Sequence, residues 1–155
     1  MTRVPLAVLA PVPGRVLAMA DVPDPVFAGK ILGPGLAIDP PRDGVVDVVA
    51  PVSGQITKLC PHAFVVITDG APAILVHLGL DTVELAGAGF VLRVAEGDAV
   101  EAGDLVTSWR PGEVAAGGRS PICPVVALHA EPGSVAPAVV VGTQVRAGEA
   151  LFRWT

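Results

Sequence analysis

Cysteine, charge and long apolar runs are all scarce in this chain, and each shortage removes a class of protein. Cys60 and Cys123 are its two cysteines in 155 residues, too few and too far apart for a disulfide framework or a cysteine-built zinc site. Charged residues make up 16%, and Lys+Arg 10 against Asp+Glu 15 leaves a net charge of −5. General nucleic-acid binding needs a cationic face to displace counterions, so it is excluded. No window approaches the ~20 apolar residues that span a bilayer. Pro5, Pro11 and Pro13 interrupt the apolar N-terminal stretch, which lacks the core and cleavage site of a signal peptide. The expectation is a cytoplasmic protein with no direct membrane insertion.

Helix breakers, by contrast, are abundant. Gly 18 and Pro 16 argue against a helical bundle, while 52% hydrophobic residues suffice for a sizeable core in one domain covering 1–155. Most segments read as strands of four to seven residues between Gly/Pro punctuation. They include 15–19, 45–49, 55–59, 63–68, 73–78, 90–94, 105–109 and 135–141, the pattern of an antiparallel β-sandwich or barrel. Helical turns are expected around 23–28 and 81–85, and a surface loop over 110–121.

Two internal repeats run through the chain. Leu9-Ala10-Pro11-Val12-Pro13-Gly14-Arg15-Val16 returns as Val49-Ala50-Pro51-Val52-Ser53-Gly54-Gln55-Ile56. The run from Val94 through Gly97-Asp98 to Gly103-Asp104 returns from Val139 through Gly142-Thr143 to Gly148-Glu149, and each copy leads to a tryptophan, Trp109 or Trp154. With so few copies, a duplicated β-motif closing on itself fits better than a solenoid.

The most informative stretch lies between His62 and His77. Asp69-Gly70 separates two apolar runs, the composition of a type I′ hairpin turn. A two-residue turn there places His62 opposite His77 on one face, with Phe64 and Val66 beside His62 and Leu75 beside His77. A one-residue slip, from a longer loop over 68–72, would separate the two faces. Two facing histidines are read as a pair capping an exposed sheet edge, a metal half-site, or a site of phosphoryl chemistry. The last needs a neutral attacking nitrogen, a fixed tautomer, a donor for the anionic group, and apolar walls that exclude water. His77 and Asp81 also have H-x-x-x-D spacing, but the only other histidine, His129, stands alone. A zinc site would rest on His62, His77 and Asp81, completed by a partner.

Asp21-Val22-Pro23-Asp24-Pro25-Val26-Phe27-Ala28, Gly33-Pro34-Gly35-Leu36-Ala37-Ile38-Asp39-Pro40, Ala50-Pro51-Val52-Ser53-Gly54, His62-Ala63-Phe64 and Val76-His77-Leu78-Gly79-Leu80-Asp81-Thr82-Val83-Glu84-Leu85 occur in order. Together they resemble the glucose-family enzyme IIA domain of the bacterial phosphoenolpyruvate-dependent sugar phosphotransferase system, over nearly the whole chain. The resemblance implies an all-β antiparallel sandwich built from a duplicated motif. It implies that His77 accepts a phosphoryl group from phospho-HPr and passes it to a cysteine of a IIB domain of a IIBC sugar permease, with His62 as the supporting imidazole. It also implies a docking ring of Val26, Phe27, Ile31, Leu32, Leu75 and Val83 with an acidic rim of Asp24, Asp81 and Glu84. No resident cofactor is implied, although relatives share zinc between the two histidines and a partner carboxylate.

The chain departs from enteric relatives before His62, where Lys58-Leu59-Cys60-Pro61 is shorter. Cys60 stands in place of a threonine there, and one docking aromatic is expected to be missing or replaced by Leu59. Two other functions fit the composition. A regulatory protein-binding module of the same fold would act through further targets. A biotinyl or lipoyl carrier would need a lysine at a hairpin tip, and Lys30 and Lys58 are not in such a motif.

Overall fold

Short apolar runs cut by glycine and proline cannot build long helices, and in the computed structural model they pair as antiparallel strands. The structure describes residues 5–69 and 72–155. In chain order the elements are β1 Leu6–Leu9, β2 Gly14–Ala18, α1 Pro25–Ala28, β3 Gly35–Asp39, β4 Val46–Val49, β5 Gly54–Cys60, β6 Ala63–Ile67 and β7 Ala73–His77. They continue with β8 Val91–Leu92, β9 Ala99–Val100, β10 Leu105–Trp109, α2 Pro111–Ala116, β11 Cys123–Ala127, β12 Val135–Pro137, β13 Gln144–Val145 and β14 Ala150–Trp154. Single 3₁₀ turns occupy Met19–Asp21 and Thr82–Leu85.

The main sheet has eight strands in the order β13-β2-β3-β11-β7-β6-β5-β9, and two three-stranded sheets, β1-β14-β12 and β4-β10-β8, accompany it. Val8 and Phe152, Val48 and Trp109, and Val16, Ile56, Phe64 and Val76 bring all three sheets into one buried core. Residues one position out of phase on the main sheet point to its other face. There Ala37 and Val126 join Met19, Val22, Phe27 and Leu80 in a second, smaller cluster. The excursion between β2 and β3 thus covers part of the outer face, beside the end of β7.

The duplication is visible in the backbone. Val16 N–H and Gly142 N–H bond Thr143 O and Val16 O at 2.9 and 2.8 Å, and the second copy repeats this with Ile56, Asp98 and Gly97 at 2.9 and 2.7 Å. Ala10 exchanges bonds with Glu149 and Gly148 as Ala50 does with Asp104 and Gly103. Leu9 N–H to Pro51 O and Val49 N–H to Pro11 O, both 2.9 Å, join the two Ala-Pro-Val corners reciprocally. The repeated glycine has a steric cause: a Cβ on Gly14 would run into the Asp39 carbonyl, and one on Gly54 into the Ile67 carbonyl.

Three local expectations are corrected. The stretch 110–121 is not a plain loop: Pro111 starts α2 at its first turn, and Pro111 and Val114 are buried. Proline is a breaker inside a helix but preorganised at its first position. The strands expected over 90–94 and 135–141 shrink to Val91–Leu92 and Val135–Pro137. Strand β11 was hidden because Pro124 sits in a buried central strand, where proline is normally excluded. It is accommodated because the β11–β7 ladder begins only at Val125↔Val76.

Candidate active site

His77 ends β7. Ile74 and Val76 fill the main core, so alternation sends Leu75 and His77 to the outer face. The register of the β6–β7 hairpin differs from the expected one by a residue. Ala63, not His62, lies opposite His77, and Ile67 lies opposite Ala73. Thr68 N–H bonds Pro72 O at 2.8 Å, so the connection is longer than a two-residue turn; Gly70 of the expected type I′ turn lies outside the described residues. Phe64 and Val66 consequently face the core, across from Val76 and Ile74.

The imidazoles still come together. His62 precedes β6 and sits in the turn after β5, where strand alternation does not govern its side chain. Its carbonyl accepts Leu78 N–H at 2.7 Å, and its ring lies edge-on to that of His77, centroids 5.1 Å apart at 73°. Phe27 also tilts against His77, with centroids 5.2 Å apart.

The segment after His77 is clamped at each step. His77 Nδ1 lies 2.6 Å from the Gly79 carbonyl. A carbonyl only accepts, so the proton sits on Nδ1 and Nε2 keeps its lone pair. Gly79 adopts φ +78°, and a Cβ there would come within 2.6 Å of Thr82 Cγ2 and 3.0 Å of Ser120 O. The buried Thr82 hydroxyl donates to Leu78 O at 2.7 Å, and Leu80 N–H bonds Ser120 O at 2.8 Å. Asp81, beside them, is held at φ 58°, a left-handed conformation costly for any residue with a Cβ.

Burial pulls the His77 imidazole below its ordinary pKa. The bond to Gly79 opposes this, the nearby His62 reinforces it, and Asp24 and Asp81 oppose it more weakly. Partial burial lowers His62 as well. Both rings are therefore held neutral near pH 7, the state in which Nε2 can attack an electrophile.

Of the apolar residues expected in a docking ring, Phe27 lies against His77, and the six fall into two classes of exposure. Ile31, Val83 and Val26 stand out at 70%, 64% and 40% exposure, whereas Phe27 is only 7% exposed and belongs to the second cluster. Leu32 and Leu75 are half-buried against that cluster. Within the acidic rim, Asp24 caps α1 by accepting Val26 N–H at 2.9 Å. Glu84 is held by Arg119 at 3.2 Å. Leu59 does not reach this face. It opposes Phe64 and packs on the main core, leaving Lys58 opposite Val65 and Cys60 opposite Ala63 on the side of His77. Arg119, Lys58 and the Gly79 carbonyl carried no sequence signal of their own.

Cys123 is buried beneath the loop, its thiol pushed up to about 12 by burial. Among the described residues no group of three or more His, Cys, Asp or Glu is placed to hold a metal ion. His62, His77 and Asp81 are therefore not gathered as a three-ligand set, and no helix there is long and apolar enough to cross a membrane.

An antiparallel sandwich made of two clasped copies of one β-motif, with a neutral imidazole pair at a hairpin end, defines a narrow class of protein. The model of the family described as phosphoenolpyruvate-dependent sugar phosphotransferase system, EIIA 1, matches residues 6–132. The chain is 40% identical over 144 residues to the glucose-specific EIIA component of Halalkalibacterium halodurans, covering 92% of this chain and 81% of that one. It is 37% identical over 145 residues to the beta-glucoside-specific EIIBCA component of Bacillus subtilis, covering 92% of this chain and 23% of that one. The solved glucose permease IIA from Mycoplasma capricolum superimposes with a TM-score of 0.85 at 34% identity, covering 97% of this chain and 96% of that one. The chain belongs to the EIIA 1 family of the sugar phosphotransferase system. As such it is a phosphotransferase component that works in sugar uptake.

Proposed function

We propose that His77 is the phosphoryl carrier, loaded by the phosphohistidine of HPr and discharged onto a cysteine of a IIB domain. The observation that carries this reading is the 2.6 Å bond from His77 Nδ1–H to the Gly79 carbonyl, which leaves Nε2 as the one free lone pair on the ring. In the loading step Nε2 attacks phosphorus and the P–N bond to the donor imidazole breaks, the electron pair staying on that ring. In the discharge step a cysteine thiolate attacks, the P–Nε2 bond breaks, and His77 returns to its neutral tautomer. His62, 5.1 Å away ring to ring, donates a hydrogen bond to the phosphoryl oxygens as negative charge gathers on them.

The partners would dock on the exposed Val26, Ile31 and Val83, with Phe27, Leu32 and Leu75 as the floor. Asp24, Asp81 and Glu84 would steer basic groups toward them. A relative whose name joins EIIB, C and A components supports IIB as the acceptor. A phospho-HPr donor places the reaction in the cytoplasm, and neither step calls for a metal or cofactor.

The test is incubation with phosphoenolpyruvate, enzyme I and HPr. Acid-labile, base-stable phosphate is expected on the native chain and absent from His77→Ala. With His62→Ala, loading survives and onward transfer falls steeply. Phosphate on another residue, or a His62→Ala chain that transfers at the native rate, would overturn the assignment.

A further inference from the structure

The core uses one face of the three-stranded sheet β4-β10-β8, where Val46, Val48, Val106 and Trp109 are buried. Asp47 and Val91 both lie opposite Ser108, and alternation puts them with Val45 on the other face. Leu105 joins them, because the irregularity between Leu105 and Thr107 turns Val106 and Thr107 inward together. Val45, Val91 and Leu105 are 54%, 52% and 40% exposed, whereas a solvated sheet face is ordinarily polar. The charges on this face fall in two halves. From one side Ser108 donates its hydroxyl proton to Asp47 Oδ1 at 2.7 Å, and from the other Arg93 Nε–H donates to Ser108 Oγ at 3.3 Å. Asp47 belongs to β4 and Arg93 follows β8, so opposite charges flank the central strand β10 on chains roughly 10 Å apart. Among the described residues neither forms an ion pair, the pairs present joining Arg42 to Asp39, Arg110 to Glu113 and Arg119 to Glu84.

We propose that two copies of the chain meet on this face as a weak two-fold dimer. A two-fold axis running along β10, midway between two facing sheets, exchanges left and right but keeps position along the strands. It sets Arg93 of each copy against Asp47 of the other, two identical pairs made from one self-complementary surface. A partner of a single charge sign would satisfy one half of the face and repel the other, so a second copy fits it better. Val45, Val91 and Leu105 leave water in the same step. Both charged side chains are already fixed on Ser108, so little ordering is left to oppose association. The face is only three strands wide, and contacts of that size are transient. It belongs to a different sheet from the one that carries His77, so the proposal is independent of the carrier assignment.

Sedimentation equilibrium of the full chain is the test, at about 0.15 M salt, where the repulsion from a net charge of −5 is screened beyond ~8 Å. The native chain is expected to dimerise with a Kd of roughly 0.1–1 mM. Asp47→Arg and Arg93→Asp change exposed residues, and each makes both pairs repulsive. Either variant alone should self-associate at least tenfold more weakly. Mixed in equal amounts, the two variants carry opposite charges at the facing positions and should pair with each other at about the native strength. Recovery in the mixture also shows that both variants are folded. His77→Ala should dimerise like the native chain, which separates this proposal from the carrier assignment. A native chain that stays monomeric up to about 1 mM, variants that self-associate like the native chain, or a mixture no more dimeric than its parts would overturn it.

Discussion

Gly79 offers the sharpest test of how the site is held. Its φ of +78° is left-handed, and an added Cβ would sit 2.6 Å from Thr82 Cγ2 and 3.0 Å from the Ser120 carbonyl. For Gly79→Ala the left-handed conformation costs about 1–2 kcal/mol, and forcing a methyl into a filled space adds about 1–3 kcal/mol. A total of roughly 2–5 kcal/mol leaves a domain of ordinary stability folded but visibly weakened. A second effect of the substitution is chemical. Moving the Gly79 carbonyl loosens its 2.6 Å bond to His77 Nδ1, so the imidazole divides its proton between both nitrogens. Urea unfolding reads the first effect, and long-range ¹H–¹⁵N correlation of the His77 ring reads the second. Thr82→Ser in the same background removes the clashing methyl but keeps the hydroxyl on Leu78 O. It should restore part of the steric loss and none of the conformational one, a coupling that a double-mutant cycle isolates. A Gly79→Ala chain within about 0.5 kcal/mol of native, with the Nδ1–H tautomer intact, would refute this account of the loop.

Other outcomes follow from the same geometry. Ile31→Asp and Val83→Asp change residues 70% and 64% exposed; both should change the unfolding free energy by less than about 0.5 kcal/mol while slowing phosphoryl exchange with partners at least tenfold, and normal exchange would remove them from the docking face. Arg119→Ala frees Glu84 from its 3.2 Å pair; association with a basic partner should rise roughly two- to fivefold at low salt, as one exposed ion pair warrants, and a fall would mean Arg119 itself meets the partner. Burial depresses the pKa of both histidines in the folded state, so the unfolded chain takes up more protons and stability is lost as pH falls below the ordinary histidine value near 6.5. The urea midpoint should therefore decline between about pH 6.5 and 5, above the range where most carboxylates titrate. His77→Gln should flatten that decline, and a slope unchanged by it would place the effect elsewhere.

Much of this site could be read before any coordinates. The Val-His-Leu-Gly-Leu-Asp-Thr run marks His77 in the sequence, whereas its mechanics come from the fold: Gly79 turns left-handed, Thr82 bonds back to Leu78, and the Gly79 carbonyl selects the His77 tautomer. The repeats were equally legible, because each Ala-Pro-Val corner has a Gly-containing partner turn whose spacing survives in both copies. The rings of His62 and His77 meet, 5.1 Å apart, although the strand pairing is one residue out from the expected one. His62 lies outside β6, where its ring can swing toward His77 although its chain position would assign it to the core side.

Local chemistry, then, is written in the order of residues: which groups ionise, which turns need glycine, and which stretches alternate. Facing is not. Side chains on a strand change sides every residue, so one additional loop residue between β6 and β7 sent Phe64 and Val66 into the core. The β-bulge between Ile56 and Lys58 likewise turned Leu59 inward and Lys58 outward. The pair of Arg119 with Glu84 joins residues 35 apart in the chain, and no local pattern announces it. Such contacts exist only once the sheets have closed on a common core, because that packing alone decides which distant backbones come within reach of one another.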